Sequence, residues 1–258
     1  VYTSLARASR NDVVSSSISF AFQPIADIES RTVFAYEALV RGPRGESAQH
    51  VFSTVSSGQL AEFDHHARIA AVNLASRLGL SARISLNLLP GSLHACPGSL
   101  DELLGRAQES GLALDQLLIE VTESEAIERP GEFIDLLNRY RVHGLQLAID
   151  DFGAGYAGLN LLADFQPDLV KLDMHLVRDI DRAGPRQAIA KGVLQVCDDL
   201  GIEVIAEGVE TLGEYHWFRR VGVRLMQGYL LARPCFEALE LPAFPERLGG
   251  TEVMARDR

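Results

Sequence analysis

Apolar and polar residues follow two rhythms along this chain. Runs with a period of two at 18–26 and 32–40, joined by a short acidic turn, predict an antiparallel pair of strands. A helical stretch over 52–78 follows and ends at Gly79, a residue suited to a C-cap. Five strand-then-helix units begin near Arg83, Leu117, Leu145, Asp168 and Glu203, and a last strand lies near 223–231. Strands alternating with helices in this way predict βαβ units and a parallel sheet. Trp217 and Phe218 read as the core face of a late helix. The polar, Ser-rich residues 1–17 read as a linker or N-terminal extension, 18–247 as one barrel-sized domain, and 248–258 as a polar tail.

The polar residues that end the apolar runs carry the functional signal. Glu37, Asn87, Glu120, Asp150 with Asp151, Lys171 and Glu207 all fall at or near the C-terminal ends of successive strands. A doubly wound open sheet and an eight-stranded barrel both fit the rhythm. Only the closed barrel brings Glu37 near the start and Gln227 near the end to a common centre, so the sequence favours the barrel. Carboxylates gathered in one low-dielectric mouth repel strongly, and divalent metal ions are the natural remedy. A metal-dependent enzyme is the leading reading.

Composition narrows the alternatives. With 258 residues, 47% of them hydrophobic, the chain has ample material for one large core. A net charge of −11 argues against non-specific DNA or RNA binding, which needs basic surface. No apolar run approaches the roughly 20 residues of a membrane span. Cys96, Cys197 and Cys235 are isolated and odd in number, which points to a reduced, cytoplasmic setting. The first residue is Val1 rather than Met, which leads us to expect a piece of something longer.

Each local motif also has a plainer reading. Asp150-Asp151-Phe152-Gly153 could be a helix-capping turn, but the other strand-end acids favour a shared site into which the Gly-rich break turns both acids. Gly153, Gly155 and Gly158 match a dinucleotide-binding spacing, yet two aspartates beside a pyrophosphate site would repel it. Glu120 and Glu123 are three apart, which places Glu123 in the following loop or at a helix N-terminus. Lys171, flanked by Val170 and Leu172, is costly to bury unless paired, with snorkelling as the alternative. Glu210 repeats the acid theme after Glu207. His65 and His66 diverge on a helix and read as surface histidines.

Taken in order, Tyr36–Arg41, Asn87, Glu120–Glu123, Asp150–Tyr156, Val170–Asp173, Ala206–Glu210 and Gln227–Tyr229 resemble the EAL domain, from about Phe20 to Pro234. The resemblance implies a modified TIM (β/α)8 barrel with an antiparallel opening strand, and metal-dependent hydrolysis of cyclic di-GMP to linear pGpG in bacterial signalling. It implies that Glu37, Asn87, Glu120 and Asp150 ligate one Mg2+ or Mn2+. Asp150 and Asp151 would serve a second ion, with Glu207 near it. Lys171 would position the attacking water, and Glu207 would act as metal-site acid or general base. Gln23, Arg41, Asp173, Glu210 and Gln227 would line the substrate pocket, and Glu123 would anchor the Gly-rich loop to a homodimer contact. An N-terminal sensory or output domain is expected in the full-length protein. The chain departs from the family at Gly42-Pro43, Ala154 and Ala157-Gly158, which removes no metal ligand. A catalytically silent receptor for the same ligand, signalling to a protein partner, is the alternative.

Overall fold

A computed structural model describes residues 18–122, 130–154 and 158–245. Strands β1 (Ser19–Asp27) and β2 (Thr32–Arg41) form the expected antiparallel hairpin, with Gln23 opposite Glu37. Its turn is fixed by Asp27, whose carboxylate accepts the N–H groups of Glu29 and Ser30. Next come helix α1 (Ala48–Thr54), capped by the Ser47 hydroxyl, and α2 (Leu60–Arg77). The single helix expected over 52–78 is therefore two. Val55 is extended, and polar Ser56-Ser57-Gly58 leads into a short 3-10 turn that re-aims the chain. Gly79 follows α2 in the left-handed region, with φ of 75°.

The regular units then succeed one another: β3 (Arg83–Asn87), α3 (Pro90–Ala95) and α4 (Ser99–Glu109); β4 (Leu117–Thr122) and α5 (Pro130–Arg141); β5 (Gln146–Phe152) and α6 (Gly158–Phe165). They continue with β6 (Leu169–Leu172), α7 (Met174–Val177) and α8 (Gly184–Leu200); β7 (Glu203–Ala206) and α9 (Leu212–Arg220); and β8 (Leu225–Met226). Strands β2 to β8 are parallel in sequence order, and antiparallel β1 joins β8 to β2, closing the barrel. Two details differ from the pattern in the sequence. The last parallel strand stops at Met226, because the chain turns at Gly228 against the Val209 backbone. A short β9 (Cys235–Phe236) then pairs with β1 beside Ala21 and Phe22.

Apolar burial falls in two zones. The larger lies between strands and helices and includes Phe22, Ile84, Leu86, Phe133, Leu137, Trp217 and Phe218. The smaller fills the barrel with Ile25, Ala35, Leu118, Ala148, Leu169, Ile205 and Leu225. Each fully buried large side chain contributes roughly 1.5–3 kcal/mol, before the opposing chain entropy. His65 corrects the surface assignment: it is buried on α2, with Nε2 3.0 Å from Glu102 Oε2. That helix buries a wide face, which also takes in the Arg68–Asp64 ion pair. Among the described residues, no helix is long and apolar enough to cross a membrane.

Candidate metal centre at the barrel mouth

The site is the next layer of the barrel above its apolar plug. Side chains alternate along a strand, so a residue two positions beyond a plug residue points inward one level higher. Two steps past Ala35, Leu118, Ala148, Leu169, Ile205 and Leu225 stand Glu37, Glu120, Asp150, Lys171, Glu207 and Gln227. On antiparallel β1 the same step runs backward, from Ile25 to Gln23. On β3, Ser85 sits opposite Glu37 in register and completes the level. Every barrel strand thus supplies one polar side chain to a single ring.

Lys171 is the hub of that ring. It is only 1% exposed, and its Nζ lies 2.9 Å from Glu120 Oε2, 2.9 Å from Asp150 Oδ1, 2.8 Å from Glu207 Oε1 and 3.6 Å from Glu37 Oε2. Asp150 Oδ1 meets it as a charge contact rather than a hydrogen bond. The buried pairing removes the snorkelling alternative. Burial works against the ammonium, but Asp150, Glu120, Glu207 and Glu37 overcome it and hold its pKa well above the usual lysine value.

One ammonium cannot balance this many carboxylates. Burial pushes the Glu120 carboxyl up to about 8, with Lys171 opposing and Glu37 and Asp150 adding to the rise. Burial likewise raises Glu207 well above its ordinary value, against Lys171 and with Asp150 and Glu37. Asp151 is raised by burial and then by Asp150 and Asp173. The Glu120 carboxylate is also fixed from its other side, where Ser85 Oγ donates to Oε1 at 2.5 Å. Sequence reasoning missed Ser85. Its signal was the period-two position on β3, two residues before Asn87.

Adjacent Asp150 and Asp151 enter one site by a backbone device. Asp151 has φ of 55°, a left-handed conformation that costs a non-glycine residue roughly 1–2 kcal/mol and that Asp tolerates better than most. The β5–β6 register is irregular between Ile149 and Phe152, so the usual alternation is broken there. As a result, ligand oxygens of Asp150, Asp151 and Glu207 lie within 4.8 Å of one another, as do those of Glu37, Glu120 and Asp150. The two trios share Asp150. All-oxygen groups at this spacing fit hard divalent ions such as Mg2+, Mn2+ or Ca2+.

The remaining expected residues take different positions. Asn87 ends β3 opposite Glu120 in register and is exposed at the mouth. Arg41 ends β2, donates to Val40 O at 2.8 Å, and lines a cavity of about 410 Å3 with Asn87, Glu120, Phe52 and Arg68. Gln227 Nε2 donates to Glu37 Oε2 at 2.7 Å, and Gln23 Nε2 donates to Ala232 O at 3.1 Å. Asp173 is buried and caps α7, accepting His175 N at 2.8 Å. Glu210 turns to Arg178, in a two-pronged pair at 2.6 and 3.1 Å. Glu123 and Gly155–Ala157 of the Gly-rich loop lie outside the described residues.

Known proteins resemble this chain in sequence and fold. A family model described as the EAL domain matches residues 5–234. The chain is 36% identical over 229 residues to the blue light- and temperature-regulated antirepressor BluF of Escherichia coli, covering 88% of this chain and 57% of that protein. It is 30% identical to the cyclic di-GMP phosphodiesterase NbdA of Pseudomonas aeruginosa, covering 83% of this chain and 28% of that one. The chain therefore spans little more than half of one relative and under a third of the other. Among solved structures, a manganese and cyclic di-GMP complex of Klebsiella pneumoniae BlrP1 superposes with a TM-score of 0.82 at 45% identity, over 86% of this chain and 57% of that one. A standalone EAL protein of Vibrio cholerae bound to cyclic di-GMP superposes with a TM-score of 0.83 at 41% identity, over 88% and 95% of the two chains. The chain described here belongs to the EAL domain family.

Proposed function

We propose that this chain hydrolyses cyclic di-GMP to linear pGpG with the aid of two divalent ions, Mg2+ or Mn2+. The observation that carries the reading is the pair of carboxylate trios sharing Asp150 inside one barrel. Glu37, Asn87, Glu120 and Asp150 would hold one ion, and Asp150, Asp151 and Glu207 the other. When bound, such ions draw charge from the phosphate oxygens and lower the pKa of water at the site. Lys171, held by four carboxylates, would orient the nucleophile and stabilise charge developing on the phosphate. Glu207, as the carboxylate at the second ion, would accept a proton from the attacking water. Arg41 and the cavity beside Glu120 would receive one half of the substrate, with Gln23, Asp173, Glu210 and Gln227 lining the mouth.

A silent receptor is the second reading, and the name of BluF as an antirepressor favours it. Retention of all the expected acids supports the enzyme. A homodimer and control by a further domain belong to the same proposal, and sedimentation at several concentrations tests the first. The chemistry is tested by incubating the protein with cyclic di-GMP and Mn2+, with and without chelator. Linear product that chelator abolishes is expected. Binding without cleavage would establish the receptor, and no binding would overturn both readings.

A further inference from the structure

Beyond the ring, one buried acid is committed to a task the proposed chemistry does not use. Glu214, in the first turn of α9, is fully buried. Its Oε1 accepts the N–H of Asp179 at 2.9 Å, and its Oε2 accepts those of Glu210 and Thr211, each at 2.9 Å. Burial pushes its carboxyl up, but the three backbone donors outweigh that and hold it below the usual range, so it is ionised. A capping box needs only the reciprocal Thr211 contacts, Thr211 N–H to Glu214 Oε2 and Glu214 N–H to Thr211 Oγ1. The Asp179 contact reaches a different loop.

The two loops are those that follow β6 and β7. The first carries Asp173 and Asp179 just past Lys171, and the second carries Glu207 to Glu210. They are tied a second time by the Arg178–Glu210 pair. They also approach too closely for side chains at two glycines. A Cβ on Gly208 would lie 2.7 Å from Met174 Cβ, and one on Gly213 would lie 2.5 Å from the Asp181 carboxylate. On its other side the Glu207 segment is zipped to the β8 turn, with Val209 N donating to Gln227 O and Leu230 N to Val209 O. Glu207 is the first residue past β7, which ends at Ala206, and its N–H still donates to Leu172 O at 3.2 Å. The chain beyond it, from Gly208 to Thr211, is held by this clamp.

We propose that Glu214 is a positioning residue which locks the β7 loop to the β6 loop and so holds Glu207 against Lys171 and the second metal position. The inference rests on the functional reading above for its consequence, and on direct metal binding for its test. Glu214→Gln separates its two tasks. The amide oxygen can keep the Glu210 and Thr211 contacts that cap α9, while the amide nitrogen faces Asp179 N–H and cannot accept from it. Thr211→Ala removes half of the cap and leaves the Asp179 bond.

The experiment measures Mn2+ binding by calorimetry, hydrolysis of cyclic di-GMP, and thermal melting for the parent and both variants. Glu214→Gln should melt close to the parent, weaken the second Mn2+ by roughly 10-fold or more, and lower kcat with little change in KM. Thr211→Ala should melt lower but bind Mn2+ and turn over nearly as the parent does. Parental Mn2+ affinity in Glu214→Gln would overturn the proposal and leave Glu214 a helix cap. Equal metal loss in both variants would also overturn it, by tracing the effect to α9 stability. A parent that binds Mn2+ without hydrolysing substrate would fail the functional reading, while the metal comparison would still decide on Glu214.

Discussion

Replacing Lys171 with Met isolates the charge at the centre of the ring while keeping a side chain of similar length. The ammonium is buried among four carboxylates, three of them within 2.9 Å. Removing one partner of a buried ion pair costs about 3–5 kcal/mol, since the other charge is left uncompensated. Glu120 moderates the loss: with its carboxyl up at about 8, it is largely protonated at neutral pH and needs less compensation. The lower end, about 3 kcal/mol, is therefore expected. At about 2–4 °C per kcal/mol for a chain of this size, the metal-free melting temperature should fall by about 10 °C. Mn2+ should restore more stability to Lys171→Met than to the parent, because the ions meet a site with one positive charge fewer. Turnover should fall by about 10²-fold or more with KM little changed, as expected for a group that acts on developing charge. Melting in chelator and in Mn2+, together with initial rates, reads all three effects. A variant that melts and turns over like the parent would refute the assignment of Lys171 as hub.

Further outcomes follow from the same ring. Ser85→Ala frees Glu120 Oε1 from its 2.5 Å bond, and it should lower metal affinity and kcat by about 10-fold with an unchanged circular dichroism spectrum. Unchanged Mn2+ affinity would remove Ser85 from the site. Glu37→Ala removes an expected ligand and the acceptor for Gln227, so metal affinity and turnover should both fall, turnover by about 10²-fold. Retention of both would contradict the first trio. The raised Glu120 carboxyl also sets a pH window. The metal-free folded state holds a proton that the unfolded chain releases above about 4.5, so folding takes up a proton between about 4.5 and 8. Stability in chelator should therefore decline as pH rises through that window and level off above it. Mn2+ replaces the proton, so the stabilisation it adds should grow with pH over the same range. Melts from pH 5 to 9 with and without Mn2+ check this, and a Mn2+ increment independent of pH would contradict it.

The barrel and most of the ring were legible in the sequence because one physical rule writes both. A period of two carries an inward-facing apolar residue to an inward-facing polar one at each strand end, and five of the ring's charged residues announce themselves this way. Ser85 was not legible, since a serine in a strand carries no mark of burial until its register beside Glu37 is known. The approach of Asp151 depended on a left-handed backbone that the neighbouring glycines only hinted at. Glu210 was read as a strand-end acid from its place after Glu207 and as a pocket residue from the resemblance, and its contact with Arg178 is made across loops that no local pattern encodes. His65 was misplaced for a similar reason: the burial of α2 is set by the helices packed on it. The break at 55–59 was written in Ser56-Ser57-Gly58, but was overridden by the apolar periodicity on either side.

Occupancy of the ring by divalent ions is what the proposed cleavage of a cyclic dinucleotide requires. It is tested most directly by stripping the protein with chelator, titrating Mn2+ back, and following linear product from cyclic di-GMP for the parent and Asp150→Asn together. Asp150 is the one residue common to both trios, so its loss should abolish turnover and leave no tight pair of ions bound. No product is expected before Mn2+, product should rise with about two ions per parent chain, and none should come from Asp150→Asn. Full hydrolysis in excess chelator, or parental turnover by Asp150→Asn, would contradict it.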